Sequence, residues 1–272
     1  TAIGKADEAA AAVVSIMKDR VFGRSGDRVL IEERLRGPEV TLLAFTDGRT
    51  IVPMVSSMDH KRAFDGDAGP NTGGMGVVAP NPRLTPELME VCTRTILRPT
   101  VEAMRAEGRP FKGCLYFGLM LTEDGPQVIE YNCRFGDPEA QAVLPLLRSD
   151  LLPILLSCTR GGLSEELVRW KAGHSCCVIL ASDGYPGAFE SGYEITGTKL
   201  CREVYMAGVE RKEGRLFSSG GRVLGVVGTG ESLPEAIESA YRDVEKVYFK
   251  NMRYRRDIGA RALRLMGGED GI

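Results

Sequence analysis

The stretch Val128-Ile-Glu-Tyr-Asn-Cys-Arg-Phe-Gly-Asp-Pro-Glu139 is an apolar strand pattern that runs into a cluster of polar groups and stops at the start of a helix. Residues two apart in a strand project from one face. Glu130 and Asn132 therefore present a carboxylate and an amide oxygen side by side, with Arg134 next in the row. Mg2+ takes oxygen ligands, is usually held by one or two carboxylates, and fills its remaining positions with water and substrate phosphates. A guanidinium pairs in bidentate fashion with carboxylate or phosphate. The spacing thus predicts a hard-cation site at Glu130 and Asn132 beside a positive fork at Arg134. Asp137 is placed to cap the following helix, with Pro138 in its first turn and Glu139 near its positive end. The competing reading is the solvated face of an edge strand with Arg134 paired to its neighbours.

Two other stretches carry polar chemistry. Leu30-Ile-Glu-Glu-Arg-Leu-Arg-Gly-Pro-Glu39 puts two glutamates at a strand end, followed by Gly-x-Glu. A base wedged between sheets needs backbone groups for its edge and a carboxylate for the ribose hydroxyls, which this stretch would supply. A solvated turn is the alternative. From residue 59, Asp-His-Lys-Arg is followed by Gly69-Pro-Asn-Thr-Gly-Gly-Met-Gly76. Successive N–H groups in glycine-rich turns form anion-binding concavities, and Lys61 and Arg62 add charge beside them. A flexible linker is the alternative here. The pattern G-x-x-x-x-G-K-[ST] is absent, so this is not a Walker loop.

The elements that must position these groups follow from periodicity. A helix is predicted over residues 7–19, a buried strand over 28–32, and a hairpin of 39–46 and 50–55 around Asp47-Gly48. Residues 58–82 show no periodicity and read as one long functional loop. A helix over 86–107 is kinked near Pro99. Strands over 113–122 and 127–131 flank Asp124-Gly125, so the Glu130 stretch is the second arm of a hairpin. Short helices follow at 137–147 and 149–159. A boundary is placed around 161–173, after which come strands at 175–181, 203–210, 215–218 and 222–228. Asp183-Gly-Tyr-Pro-Gly187 reads as a tight turn, with a turn that closes over the cleft as the alternative. A helix capped at Ser232 and a last helix over 257–266 complete the chain.

Composition narrows the class. The 272 residues are 43% hydrophobic and 26% charged with a net charge of −2, so bulk electrostatics suggest no nucleic-acid or membrane partner. Seven cysteines without C-x-x-C spacing read as reduced packing residues of a soluble, cytoplasmic protein. Two histidines, His60 and His174, leave little room for histidine-based metal sites or Ser-His triads. His60 sits in the polar loop as a candidate substrate ligand, and His174 reads as structural.

Taken together in chain order, Leu30-Ile-Glu-Glu-x-Leu-x-Gly-x-Glu39, Asp59-His-Lys-Arg62, Gly69-Pro-Asn-Thr-Gly-Gly-Met-Gly76, Glu130-Tyr-Asn-Cys-Arg-Phe-Gly-Asp-Pro-Glu139, Gly184-Tyr-Pro-Gly187, Gly220-Gly-Arg-Val223 and Arg256-Asp-Ile-Gly259 resemble the phosphoribosylamine-glycine ligase family of the ATP-grasp superfamily. The resemblance covers nearly the whole chain. It implies an α+β architecture: a partial ATP-grasp fold followed by a small C-terminal α+β domain. It implies a remnant of the lid subdomain at 1–27, a core with ATP, metal and substrate loops at 28–165, and the C-terminal domain at 166–272. The implied reaction uses ATP to phosphorylate the glycine carboxylate, and the amine of 5-phosphoribosylamine then attacks the glycyl phosphate.

Carried over by position, the resemblance implies that Glu32, Glu33 and Leu35 line the adenine pocket and Glu39 holds the ribose. Glu130 and Asn132 would bind Mg2+ (or Mn2+), and Arg134 would hold glycine or the acyl phosphate as the catalytic cation. Asp59, His60, Lys61, Asn71, Thr72, Gly73, Gly74 and Met75, in the Asp59 and Gly69 loops, would embrace 5-phosphoribosylamine, with Asp137 a further substrate-binding residue. Partners would be ATP, glycine and 5-phosphoribosylamine, in a monomer or small homo-oligomer. Gly118-Leu-Met120 offers no carboxylate where many ATP-grasp enzymes place a second metal ligand. The family also has an N-terminal domain and a glycine-rich lid with lysines ahead of the point where this chain begins. The expectation is therefore that this chain alone is incomplete and inactive or nearly so. Competing readings are another ATP-grasp carboxylate-amine ligase or carboxylase, and a non-catalytic nucleotide-binding module.

Overall fold

A computed structural model describes residues 5–268, so residues 1–4 of the expected lid remnant lie outside the described part. Helix Ala6–Val13 runs on into the wider turn Val14–Lys18. The strand expected at 28–32 does not form. This segment is irregular, and Leu30 and Ile31 are 80% and 82% exposed. An apolar run becomes a buried strand only when a sheet edge receives it, and no described strand pairs with this one.

Four antiparallel strands then form the first sheet, in the order Ile51–Pro53, Glu39–Thr46, Gly113–Thr122, Gly125–Asn132. The first turn is made as its sequence dictates: Asp47 Oδ1 accepts the N–H groups of Arg49 and Thr50 at 3.0 and 2.8 Å. Side chains alternate across this sheet. Leu42 and Phe117 pack on one side with Leu97 and Val101, while Leu43 and Phe45 pack on the other with Val143 and Ile154. The covering helix runs through Pro86–Cys92, Thr93–Leu97 and Arg98–Ala106, with the Thr85 hydroxyl capping Leu88 N–H at 3.2 Å. Its middle segment is a π turn just before Pro99, where the missing N–H is absorbed by a wider turn instead of a break.

The second sheet has the order Val204–Met206, Arg222–Gly230, His174–Ser182, Gly76–Ala79, Met58–Asp59, with Met252–Arg253 also paired to His174–Ser182. Helix Leu233–Val244 lies on it, started by a reciprocal Ser232/Glu235 capping box. Gly228 makes the close approach possible, since a Cβ there would lie 2.2 Å from the Ala240 nitrogen. This sheet corrects the expectation of a loop over 58–82. The segment supplies two of its strands plus the small hairpin of Arg62–Phe64 and Ala68–Asn71. Val77, Val78 and Ala79 are buried on both faces, so the stretch shows no alternation by which a short strand is recognised. The sheet also contains strands from either side of residue 165.

The strand expected at 203–210 divides. Val204–Met206 joins the second sheet, and Val209–Lys212 joins a third with Glu194–Ile195 and Arg215–Ser218. Five cysteines are buried and Cys201 is half-buried, but Cys133 is exposed, contrary to the packing role expected of all seven. Among the described residues no helix is long and apolar enough to cross a membrane.

Candidate functional site

Glu130 and Asn132 leave the edge strand Gly125–Asn132 on one face, as its period requires, and Asn132 Nδ2 donates to Glu130 Oε1 at 3.1 Å. Opposite them the ladder slips between Gly118 and Leu119. A Cβ on Gly118 would lie 2.9 Å from Glu130 Cγ, so the glycine leaves room for the carboxylate. Among the described residues no group of three or more His, Cys, Asp or Glu side chains is gathered for a metal, so a cation here would rest on this pair with water or ligand oxygens.

A cleft of about 380 Å3 is bounded by Glu39 and Thr41 of the first sheet, by Met58 to Arg62, and by Asp67 and Asn71 of the small hairpin. Lys61 Nζ pairs with Glu39 Oε2 at 2.5 Å. Burial disfavours the Lys61 charge, but the hydrogen bond and charge of Glu39, with the charge of Glu130 added, outweigh it and raise the Lys61 pKa. Lys61 thus feels both the cleft carboxylates and the cation-site candidate. Asp59 has a buried Oδ1 without a hydrogen-bond partner. Burial and then the neighbouring Glu139 push its carboxyl well above the usual range, against the pull of Lys61 and Arg222. Glu139 is 3% exposed, its own pKa raised by burial, and its Oε1 accepts the Tyr116 hydroxyl at 3.0 Å. Tyr116 meets Thr41 Oγ1 at 2.9 Å, which connects the buried carboxylate to the cleft wall.

The glycine-rich loop is held from three sides. Thr72 N–H and hydroxyl both donate to Lys61 O at 2.8 Å, and Gly73 N–H donates to Tyr185 Oη at 3.0 Å. Arg222 Nη1 donates to Gly73 O at 2.6 Å and to Asp137 O at 2.8 Å, while Nη2 pairs with Asp137 Oδ2 at 3.1 Å. Gly74 has φ +108, and a Cβ there would lie 2.5 Å from Pro138 Cδ. His60 is 3% exposed, its Nε2 accepts Gly259 N–H at 3.2 Å, and its Nδ1 lies 3.1 Å from Gly76 O. The ring is therefore neutral with its proton on Nδ1. Burial and then the charge of Arg255 push its pKa down to about 4.

The chain matches two family models: the ATP-grasp (A) domain of phosphoribosylglycinamide synthetase over residues 2–140, and the C domain of the same enzyme over 175–261. The chain belongs to the phosphoribosylglycinamide synthetase family. It is 48% identical over 247 residues to a phosphoribosylamine–glycine ligase of Caldanaerobacter subterraneus, covering 90% of this chain and 59% of that protein. It is 45% identical over 262 residues to the human trifunctional purine biosynthetic protein adenosine-3, covering 94% of this chain and 26% of that one. The crystal structure of a phosphoribosylamine–glycine ligase from Thermotoga maritima superposes with a TM-score of 0.77 at 40% identity, covering 84% of this chain and 57% of that one. A biotin carboxylase domain of Hydrogenobacter thermophilus 2-oxoglutarate carboxylase, in complex with MgADP and bicarbonate, shares the fold, with a TM-score of 0.64 at 16% identity and coverage of 91% of this chain and 54% of that one. The chain thus spans about 60% of the length of the single-function ligases it matches.

Within this ATP-grasp member the residues singled out from sequence fall into two groups. Glu39, Asp59, Lys61 and Asn71 line one cleft, and Glu130 with Asn132 forms a second pair on the edge strand, outside that lining. Thr72, Gly73 and Gly74 form its loop. Met75 is a correction, since its side chain is fully buried in the core. His60 touches the cleft wall, but both ring nitrogens are engaged with backbone, so it shapes the wall and has no nitrogen left to ligate. Asp137 does not cap the helix Glu139–Val143; it accepts Gln141 Nε2 at 2.9 Å and holds Arg222. Arg134 is exposed and donates to Phe135 O at 2.9 Å, so among the described residues it makes this backbone contact and not the pairing with its strand neighbours that the competing reading required. Glu32 and Glu33 are exposed on the irregular segment and close no pocket with Leu35. The sequence pointed to Arg222 only through the Gly-Gly-Arg string and to Glu139 only as a helix-start carboxylate, and it carried no signal for the buried Tyr116–Glu139 hydrogen bond.

Proposed function

We propose that this chain forms the substrate and cation floor of an ATP-dependent ligase that joins glycine to 5-phosphoribosylamine through a glycyl phosphate. The observation that carries the reading is Lys61, which lines the cleft, pairs there with Glu39 and is also raised in pKa by the charge of Glu130 on the cation strand. The names of the relatives support the same chemistry. One carboxylate and one amide oxygen fit a Mg2+ (or Mn2+) ion that keeps water and phosphate oxygens. When bound, such an ion at Glu130 and Asn132 supplies neutralisation of phosphate charge.

The remaining work is done by the chain's own groups. Lys61 places a positive charge in the cleft, held there by Glu39. The loop of Asn71 to Gly74 has its backbone groups engaged by Lys61, Tyr185 and Arg222, so it contributes a fixed shape to the site. Asp59, buried and short of a partner, is an acceptor for a donor group of the amine substrate. Acyl and phosphoryl transfer of this kind depend on alignment and charge stabilisation more than on a dedicated base. Glu32, Glu33 and Leu35 would approach the adenine once their segment is packed against a partner sheet.

Calorimetric titration of Mg-ADP into wild type and Glu130→Gln tests the reading. Binding that requires Mg2+ and weakens roughly tenfold or more in the variant is expected, matching the loss of a charged ligand interaction. Equal affinity in the two proteins removes Glu130 from the site.

A further inference from the structure

Arg255 is the largest fully buried side chain of the protein's described residues, 2% exposed, and it sits behind the cleft. Its Nε and Nη2 donate to the two oxygens of Asp257 at 2.7 and 2.8 Å. Its Nη1 donates to Asp67 Oδ1 at 2.8 Å and to Arg62 O at 3.1 Å. The same seam is sewn at four more points. Asp257 Oδ2 accepts Gly66 N–H at 2.9 Å, and Asp65 Oδ1 accepts Arg256 N–H at 2.8 Å. Arg253 donates to Ala63 O at 3.0 Å and lies 4.1 Å over the Phe64 ring. Two segments about 190 residues apart in sequence are joined in this way.

The joined hairpin is part of the cleft wall, because Arg62, Asp67 and Asn71 all line it. Its turn needs external support: Asp67 is a non-glycine residue at φ +52, next to Gly66 at φ +69. A planar fork that satisfies a carboxylate on one side and a second carboxylate and a carbonyl on the other fixes orientation as well as distance, and an ammonium cannot reproduce it.

We infer that Arg255, anchored by Asp257, is a positioning residue that latches the Arg62–Asn71 hairpin against the cleft and thereby sets the grip on the phosphorylated amine substrate. The inference rests on the ligase reading above. Arg255 touches no substrate; it acts through Arg62 and Asp67.

The test is steady-state kinetics of the complete ligase polypeptide with freshly generated 5-phosphoribosylamine, for wild type, Arg255→Lys, Asp65→Ala and Asp65→Asn. Asp65 lies outside the cleft lining, so it opens the latch from the hairpin side without removing a buried charge. Arg255→Lys and Asp65→Ala are expected to raise the KM for 5-phosphoribosylamine about tenfold, with kcat and the KM values for ATP and glycine little changed. Asp65→Asn, which keeps the acceptor oxygen, restores the wild-type KM. Hydrogen exchange should quicken over residues 62–71 and stay unchanged over Glu39–Thr46. Faster exchange of the hairpin with an unshifted KM overturns the inference, as does an equal rise in all three KM values. If Arg255→Lys fails to fold, the two Asp65 variants decide alone. A wild-type enzyme that forms no product from these substrates overturns the ligase reading and the substrate assignment with it.

Discussion

His60 illustrates how a residue type that suggests ligand chemistry is reassigned by its surroundings. In a polar loop it reads as a substrate group, yet both nitrogens hold backbone and the ring stays neutral with a pKa of about 4. The unfolded chain takes up a proton near the ordinary value of 6.5 while the folded chain does so only near 4. Stability contributed by the neutral ring is therefore lost as pH falls from about 6.5 to about 4, on the order of 3 kcal/mol for this difference. Buried Asp59 and Glu139, with raised pKa values, act in the opposite sense, so the comparison must be between variants. Urea unfolding of wild type and His60→Asn at pH 7 and pH 4.5 is expected to show a shallower acid loss in the variant. Equal losses would mean that His60 is protonated in the folded protein.

At the scale of elements, the glycine-rich loop is a structured edge and not a tether. Gly74 lies at φ +108 with Pro138 Cδ and Asp59 Oδ1 at 2.5 and 2.8 Å from where a Cβ would stand. Gly66, at φ +69, has nothing within 4 Å of that position. Gly74→Ala should therefore cost more than the roughly 1–3 kcal/mol of backbone strain, because the loop must also move off Pro138. Gly66→Ala should stay within the strain alone. Denaturant midpoints check the order; equal costs would show that the loop yields freely. The turn at Asp47-Gly48 and the Ser232 capping box were legible because each is a local rule written in neighbouring residues. The strand Gly76–Ala79 was not, since four residues buried on both faces carry no period.

For the whole molecule, the second sheet ties early and late sequence together. Gly76–Ala79 is bonded to His174–Ser182, and Arg255 and Gly259 reach back to the hairpin and to His60. We propose from this that residues 28–165 and 166–272 do not fold as separate units. A polypeptide ending at residue 165 would expose Val77 and Val78 along an open edge. It should lack a cooperative urea transition and near-ultraviolet circular dichroism that the whole chain shows. A sharp transition in the truncated chain would show that its half of the sheet stands alone.

By itself the sequence determined the hairpins around Asp47-Gly48 and Asp124-Gly125, the helix start at Ser232, and the pairing of Glu130 with Asn132 on one strand face. Each of these depends on spacing of a few residues, where backbone geometry leaves little choice. Only the tertiary structure decided that Arg134, Glu32 and Glu33 stand clear of the cleft, that Met75 is core, and that Arg222 and Arg255 organise the loops from far away in the chain. Those outcomes depend on which surfaces are brought together and on burial, which sets both charge state and free hydrogen-bonding capacity. Neither is written in the order of neighbouring residues.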